Sequence, residues 1–282
     1  MTSLGREGCE LVFRCVGRGP PVLFIQGVGL HGDGWLPQVQ GLSDRYTCLT
    51  FDNRGMGRSQ PLGPKKLSIP LMVEDALALI DRAGWSGCHV VGHSMGGHIA
   101  TALALAAPER VRSLALMCTS ARGSDMPPVT ASFLWTSLRT RLGTRRMRRH
   151  AFLEMVMPRA LRETEDLDVW AERMAALFGH DLADTPPVAM RQIGAYRAHD
   201  ATDRLTELEA IPTLVVSATE DPLSPPALGR ALADGIRGAR HHVFDGASHG
   251  VTITHAAEVN RLLDEHLAAT GERPLSTTRR PR

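Results

Sequence analysis

The chain has 282 residues, 43% of them hydrophobic, with 32 Lys and Arg set against 30 Asp and Glu. That length and apolar share suffice for one large α/β domain with an insertion, and a net charge of +2 gives no reason to expect a nucleic-acid or membrane partner. Cys9, Cys15, Cys48, Cys88 and Cys118 are odd in number and lie mainly on predicted strands, so reduced core thiols are expected rather than disulfides. The segment Met1–Gly8 lacks the apolar core of a signal peptide, and no apolar run approaches the ~20 residues of a membrane span, so a cytoplasmic location is expected.

In chain order, strands are predicted at Leu11–Val16, Val22–Ile25, Thr47–Phe51, His89–Val91, Ser113–Met117, Thr213–Ser217 and His241–Phe244. Helical patterns alternate with them, which predicts a largely parallel sheet covered on both faces. After the second strand comes Gln26-Gly27-Val28-Gly29, where Gly27 lets the backbone turn. The fourth strand runs into Val90-Val91-Gly92-His93-Ser94-Met95-Gly96-Gly97 and then an alanine-rich helix. This is the pattern of a nucleophile elbow. A sharp strand-to-helix turn holds a serine hydroxyl clear of its strand, and positions two before and two after it, here Gly92 and Gly96, must be nearly free of side chain. The Met95 amide then lies at a helix N-terminus, where unpaired N–H groups favour an anion. The Val28 amide is expected to be the second donor to the same oxygen.

The strand alternation stops between Ala121 and Asp203, where helical periodicity brings forward Trp135, Phe152, Met155, Trp170, Met174 and Phe178. This stretch is expected to form a helical cap, residues 121–203, between core segments 1–120 and 204–270. Most of its aromatics and methionines would form the cap's own core. The remainder would line an apolar pocket, with Met126 and Trp135 the expected walls and Gln26 beside them. Arg139, Arg141, Arg145, Arg146, Arg148 and Arg149 form a dense positive run, expected to be a solvated helix face, the alternative being an anionic partner or a carboxylate-bearing substrate. The tail from Gly271 to Arg282 is expected to be disordered.

In this type of site the acid and the histidine follow the serine in the chain. The strand Thr213–Ser217 leads to Ala218-Thr219-Glu220-Asp221-Pro222, which makes Asp221 the expected acid and Glu220 its competitor. His249, in Asp245-Gly246-Ala247-Ser248-His249-Gly250, is the expected base, because imidazole changes charge near neutral pH. His241 and His242 are expected to pack or face solvent within their strand. His93 is expected to turn away from the nucleophile, and His31, His98, His199 and His255 to be ordinary structural or surface residues. No metal cluster, phosphate-binding loop or repeat appears, and no cofactor is expected.

The Gln26–Gly29 loop, Trp35, Asp52-Asn53-Arg54-Gly55-Met56-Gly57-Arg58-Ser59, the elbow, Asp221 and His249 occur in order. From about Val12 to Leu267 the chain resembles the α/β-hydrolase superfamily, in its serine-nucleophile branch with a helical cap. The resemblance implies an α/β-hydrolase fold, a structural role for Asp52 and Arg54 at the base of the pocket, and acyl transfer by Ser94, His249 and Asp221. Haloalkane dehalogenases and epoxide hydrolases of this fold use an aspartate nucleophile, so Ser94 argues against both. The family usually has His-Gly where this chain has Gln26-Gly27, a change that spares a backbone donor but alters side-chain hydrogen bonding beside it. The expected activity is hydrolysis of a small or medium carboxylic ester. The alternatives are a lactonase, a carbon–carbon hydrolase or a cofactor-free perhydrolase on the same triad, and a ligand-sensing protein that retains it.

Overall fold

Strands covered on both faces read as unbroken apolar runs, and the central strands of this chain do so. The computed structural model describes residues 1–125 and 131–270. Its strands are β1 (Thr2–Arg6), β2 (Cys9–Gly17), β3 (Pro21–Ile25), β4 (Thr47–Phe51), β5 (Cys88–His93), β6 (Val111–Met117), β7 (Thr213–Ala218) and β8 (Arg240–Phe244). They form one sheet in the order β1-β2-β4-β3-β5-β6-β7-β8, antiparallel at β1/β2 and β2/β4 and parallel elsewhere. Every residue of β5 and β7 is buried.

The helices are α1 (Leu36–Leu42), α2 (Ile69–Arg82), α3 (Met95–Ala106), α4 (Ala131–Arg139), α5 (Arg145–Val156), α6 (Arg159–Thr164), α7 (Leu167–Phe178), α8 (Ala189–Arg197), α9 (Pro226–Gly235), α10 (Val251–Thr254) and α11 (Ala256–Ala268). Leu79 and Ile80 of α2, Ile99 and Leu103 of α3 and Leu232 of α9 share one buried cluster, and Val39 of α1 and Leu263 of α11 share a second. The sheet is therefore sandwiched between helical layers. The chain passes from β3 to β4 on one side and to β5 on the other, so strand order reverses between β3 and β5. In open α/β sheets that reversal opens a crevice at the strand C-terminal ends.

The first strand, β1, is absent from the sequence expectation. Its five residues include a single large apolar side chain, Leu4, and show no alternation. The strand exists because Glu7 and Gly8, at φ 50° and 74°, close a tight hairpin that pairs Arg6 with Cys9. All five cysteines are free thiols; four are buried, but Cys15 is exposed rather than in the core.

Between β6 and β7 the chain builds α4 to α8. Entry and exit run side by side: Arg122 bridges Asp200, Gly123 N–H donates to the His199 carbonyl, and Ala201 N–H donates to the Ala121 carbonyl. This insertion has its own buried cluster, with Leu153, Val156, Met174 and Phe178 packed on Ile253 of α10. Most of the arginine run pairs with acids of the same insertion while remaining partly or largely solvated. Arg139 pairs with Glu154 at 2.8 Å, Arg146 with Asp168 at 2.8 Å and Arg145 with Asp184 at 2.7 Å, and Arg149 also meets Asp181. Among the described residues no helix is long and apolar enough to cross a membrane. The tail from Gly271 lies outside the described residues.

Candidate active site

Ser94 follows β5 and precedes α3 with φ 54° and ψ −121°, a backbone conformation that L-residues rarely adopt. The surrounding packing enforces it. A Cβ at Gly92 would lie 2.2 Å from the Gly96 carbonyl oxygen, and one at Gly96 would lie 2.1 Å from that of Ile25. Ser94 N–H donates to the Met117 carbonyl at 2.9 Å, while its own carbonyl accepts from Gly97 N–H and Thr119 Oγ1, both at 2.9 Å. From Cys88 to Thr101 every residue is buried except Ser94.

Asp221 leaves the end of β7 with its side chain fully enclosed. Its Oδ1 accepts the Leu223 and Ser224 N–H groups at 2.8 and 2.9 Å, and its Oδ2 lies 2.8 Å from His249 Nδ1. Those two amide bonds fix the carboxylate before the histidine meets it. Glu220 is turned elsewhere: its carboxylate accepts the Arg159 N–H at 2.6 Å at the start of α6. The structure thus brings Asp221 to His249 and leaves Glu220 outside. Ser94 and His249 line the same cavity, and no hydrogen bond joins them.

His93 lines the same cavity, its ring directed to His249, with ring centroids 4.8 Å apart and its Nε2 donating to the His249 carbonyl at 2.9 Å. Burial, reinforced by His249, pushes its pKa down to about 3, so it is a neutral donor bracing the loop. Cys118 follows β6 at φ 48°, and burial together with the Asp221 carboxylate keeps its thiol protonated. The ligand atoms of His93, Cys118 and His249 lie within 4.8 Å of one another. They suit a metal poorly, because the Cys118 thiol must ionise to ligate, and burial and the neighbouring Asp221 carboxylate oppose that. Neither residue of this supporting layer was legible as such, since a buried histidine or cysteine has no periodic signature.

The expected oxyanion donors fall on the two sides of the β3/β5 crevice. A Cβ on Gly27 would sit 3.2 Å from Ser94 Cβ, which shows how closely the two turns approach. Gly27 N–H donates to Gln26 Oε1 at 2.9 Å and Gly29 N–H donates to Gln192 Oε1 at 2.8 Å. Among the described residues, the Val28 and Met95 N–H groups have no protein acceptor. Gln26 is buried, lines the cavity and spends its side-chain oxygen on that local bond.

The cavity holds about 340 Å³. Phe152, Met155, Phe178, Leu182, Ile193 and Ile253 give it an apolar wall, and His98 and Tyr196 stack at 5.6 Å on another side. Trp135, expected as a wall, does not reach it. Its neighbours Thr136 and Arg139 bond Glu154 of α5, which turns Trp135 outward, and it is 62% exposed. Met126 lies outside the described residues. Asp52 and Arg54 are not among the lining residues. Asp52 caps Gly32 N–H and pairs with Arg58 at 2.8 Å, and Arg54 pairs with Asp75 at 2.5 Å while donating to the Arg6, Glu7 and Leu62 carbonyls.

Residues 20–256 match the family model of the alpha/beta hydrolase fold. A protein of Azorhizobium caulinodans named "Putative carbamate hydrolase RutD" is 32% identical over 259 residues, covering 90% of this chain and 93% of its own length. The enol-lactonase from Burkholderia xenovorans LB400 superposes with a TM-score of 0.76 at 26% identity, covering 95% of this chain and 100% of that one. A thermophilic esterase from Thermogutta terrifontis does so with a TM-score of 0.75 at 25% identity, covering 93% and 94%. This chain is a hydrolase of the α/β-hydrolase fold family.

Proposed function

We propose that the chain hydrolyses small or medium carboxylic esters through an acyl-enzyme on Ser94. The observation that carries this reading is Ser94 alone emerging from a buried segment, in a strained turn, into a cavity it shares with a histidine oriented at 2.8 Å by a buried carboxylate. His249 takes the Ser94 proton as Oγ bonds to the ester carbonyl carbon, and the carbonyl π electrons move onto oxygen. The Val28 and Met95 amides face that oxyanion. Collapse breaks the carbon–oxygen bond to the alcohol, which leaves with the proton from His249. Water, deprotonated by His249, then repeats the attack and frees the acid. Asp221 holds the imidazole with Nδ1 protonated throughout.

The cavity volume supports a substrate of modest size, and its apolar wall supports an aliphatic or aromatic acyl group. The sequence relatives favour a second reading, a carbamate, whose carbonyl would meet the same nucleophile and donors. Steady-state and burst kinetics on chromogenic esters from acetyl to decanoyl, with a matched aryl carbamate, test both readings. Ser94-dependent turnover with a chain-length optimum is expected. Turnover of the carbamate in preference to every ester would replace the first reading with the second, and turnover that survives Ser94→Ala would overturn both.

A further inference from the structure

The loop carrying Val28 is held from above by the insertion. Gly29 has φ 71°, and a Cβ on it would lie 3.7 Å from Pro186 Cδ and 3.8 Å from Ala189 Cβ, so its bare backbone packs against the start of α8. One turn along the same helix face, Gln192 is fully buried and its Oε1 accepts the Gly29 N–H at 2.8 Å. From beyond the end of α7, His180 Nε2 donates to the Gly29 carbonyl at 2.8 Å. Both polar groups of this one glycine are thus bonded to side chains of the insertion. The Gln192 Nε2 group, by contrast, is enclosed without a partner among the described residues. A buried amide that leaves its own donor unsatisfied is not placed there for its own stability; the Gly29 N–H is what its oxygen serves.

The consequence falls on the neighbouring amide. Gly27 N–H is tied to Gln26 on one side and Gly29 to the insertion on the other, leaving the unpaired Val28 N–H between two fixed points. A donor to an oxyanion acts only when aimed before the reaction begins, and a loop free to rotate would forfeit it. We propose that Gln192 and His180 are positioning residues that clamp Gly29 and so aim the Val28 amide, which makes the second oxyanion donor conditional on the insertion being docked. This rests on the Ser94 acyl-transfer reading above.

Gln192→Met keeps the length of the side chain and removes the acceptor, while Gln192→Glu keeps an acceptor oxygen. With a p-nitrophenyl ester as substrate, Gln192→Met is expected to lower kcat by about 10- to 100-fold with KM within about twofold. A trifluoromethyl ketone, which adds Ser94 Oγ across its carbonyl to give a tetrahedral oxyanion, should lose affinity by the same factor. The product carboxylate should bind as to the wild type. Gln192→Glu should recover most of the loss, and His180→Phe should reproduce it in part. Wild-type kcat in Gln192→Met, or equal weakening of ketone and product, would overturn the proposal. Hydrogen–deuterium exchange over residues 26–31 reads the clamp without turnover: faster exchange at Gly29 in Gln192→Met is expected, and unchanged exchange would overturn it. If neither ester nor ketone engages Ser94 in the wild type, the acyl-transfer reading falls, and the exchange result alone decides the clamp.

Discussion

The strand ends and the helical insertion are built on different physics. At the strand ends, Ser94 and Asp221 are fixed by main-chain amides and carbonyls of the sheet and its turns. In the insertion, α5 is stapled to the acids around α7 by Arg145, Arg146, Arg149 and His150 side chains, several of them well exposed. Main-chain bonds in a buried sheet depend little on which side chains surround them, whereas exposed ion pairs are weak and screened by salt. On the proposed reading, the chemistry is therefore set where main-chain bonds hold the residues, and the surface that meets the substrate where side-chain ion pairs do.

That contrast can be broken most decisively at the nucleophile. Ser94→Ala should lower kcat/KM by more than about 10⁴-fold while leaving the thermal midpoint unchanged. Asp221→Asn should cost about 10³- to 10⁴-fold in kcat, because the imidazole loses the carboxylate that selects its tautomer. Glu220→Gln should cost less than about threefold, since that carboxylate caps α6; equal losses at the two acids would reverse the assignment.

Arg54→Met should leave kcat intact yet destabilise the fold by up to about 3–5 kcal/mol in denaturant unfolding, because the buried Asp75 carboxylate loses its bidentate partner and keeps only Arg6, at 3.2 Å. Acid should act on the core too. Burial pushes His93 and His98 down to about 3 and His89 and His266 to about 4, against 6.5 when unfolded. The unfolded chain binds their protons first, so this stability is fully present above pH about 6.5 and is lost as pH falls toward 4 and 3. Each histidine adds at most about 1.4 kcal/mol per pH unit within that window. Asp181→Asn should be the mildest change, about 1 kcal/mol or less and smaller still in high salt. Its effect should appear in exchange rates of α5 rather than in global unfolding.

The strand-end residues were legible because each sits beside a turn of demanding chemistry: Gly92 and Gly96 around Ser94, Pro222 after Asp221, Gly250 after His249. β1 was not, since an edge strand of Thr, Ser and Gly exists only through the partner it pairs with. Trp135 misled because helical periodicity says which residues share a face and not which way that face turns; the turn was decided by Glu154, a partner 15 residues from Arg139. Gln192 gave no signal for a similar reason. A lone buried glutamine is explained by Gly29, 163 residues away, and no local pattern reports such a distance.

At the neck of the insertion, Ala121 to Gly123 run beside His199 to Ala201, so the chain departs from and rejoins the sheet at almost one point. A loop closed at its own root places no demand on the span between its ends, because lengthening it adds only slowly to the closure entropy. Grafting a different helical segment across this root would exchange the roof of the pocket without moving a strand, provided the graft carried an acceptor and a donor for Gly29.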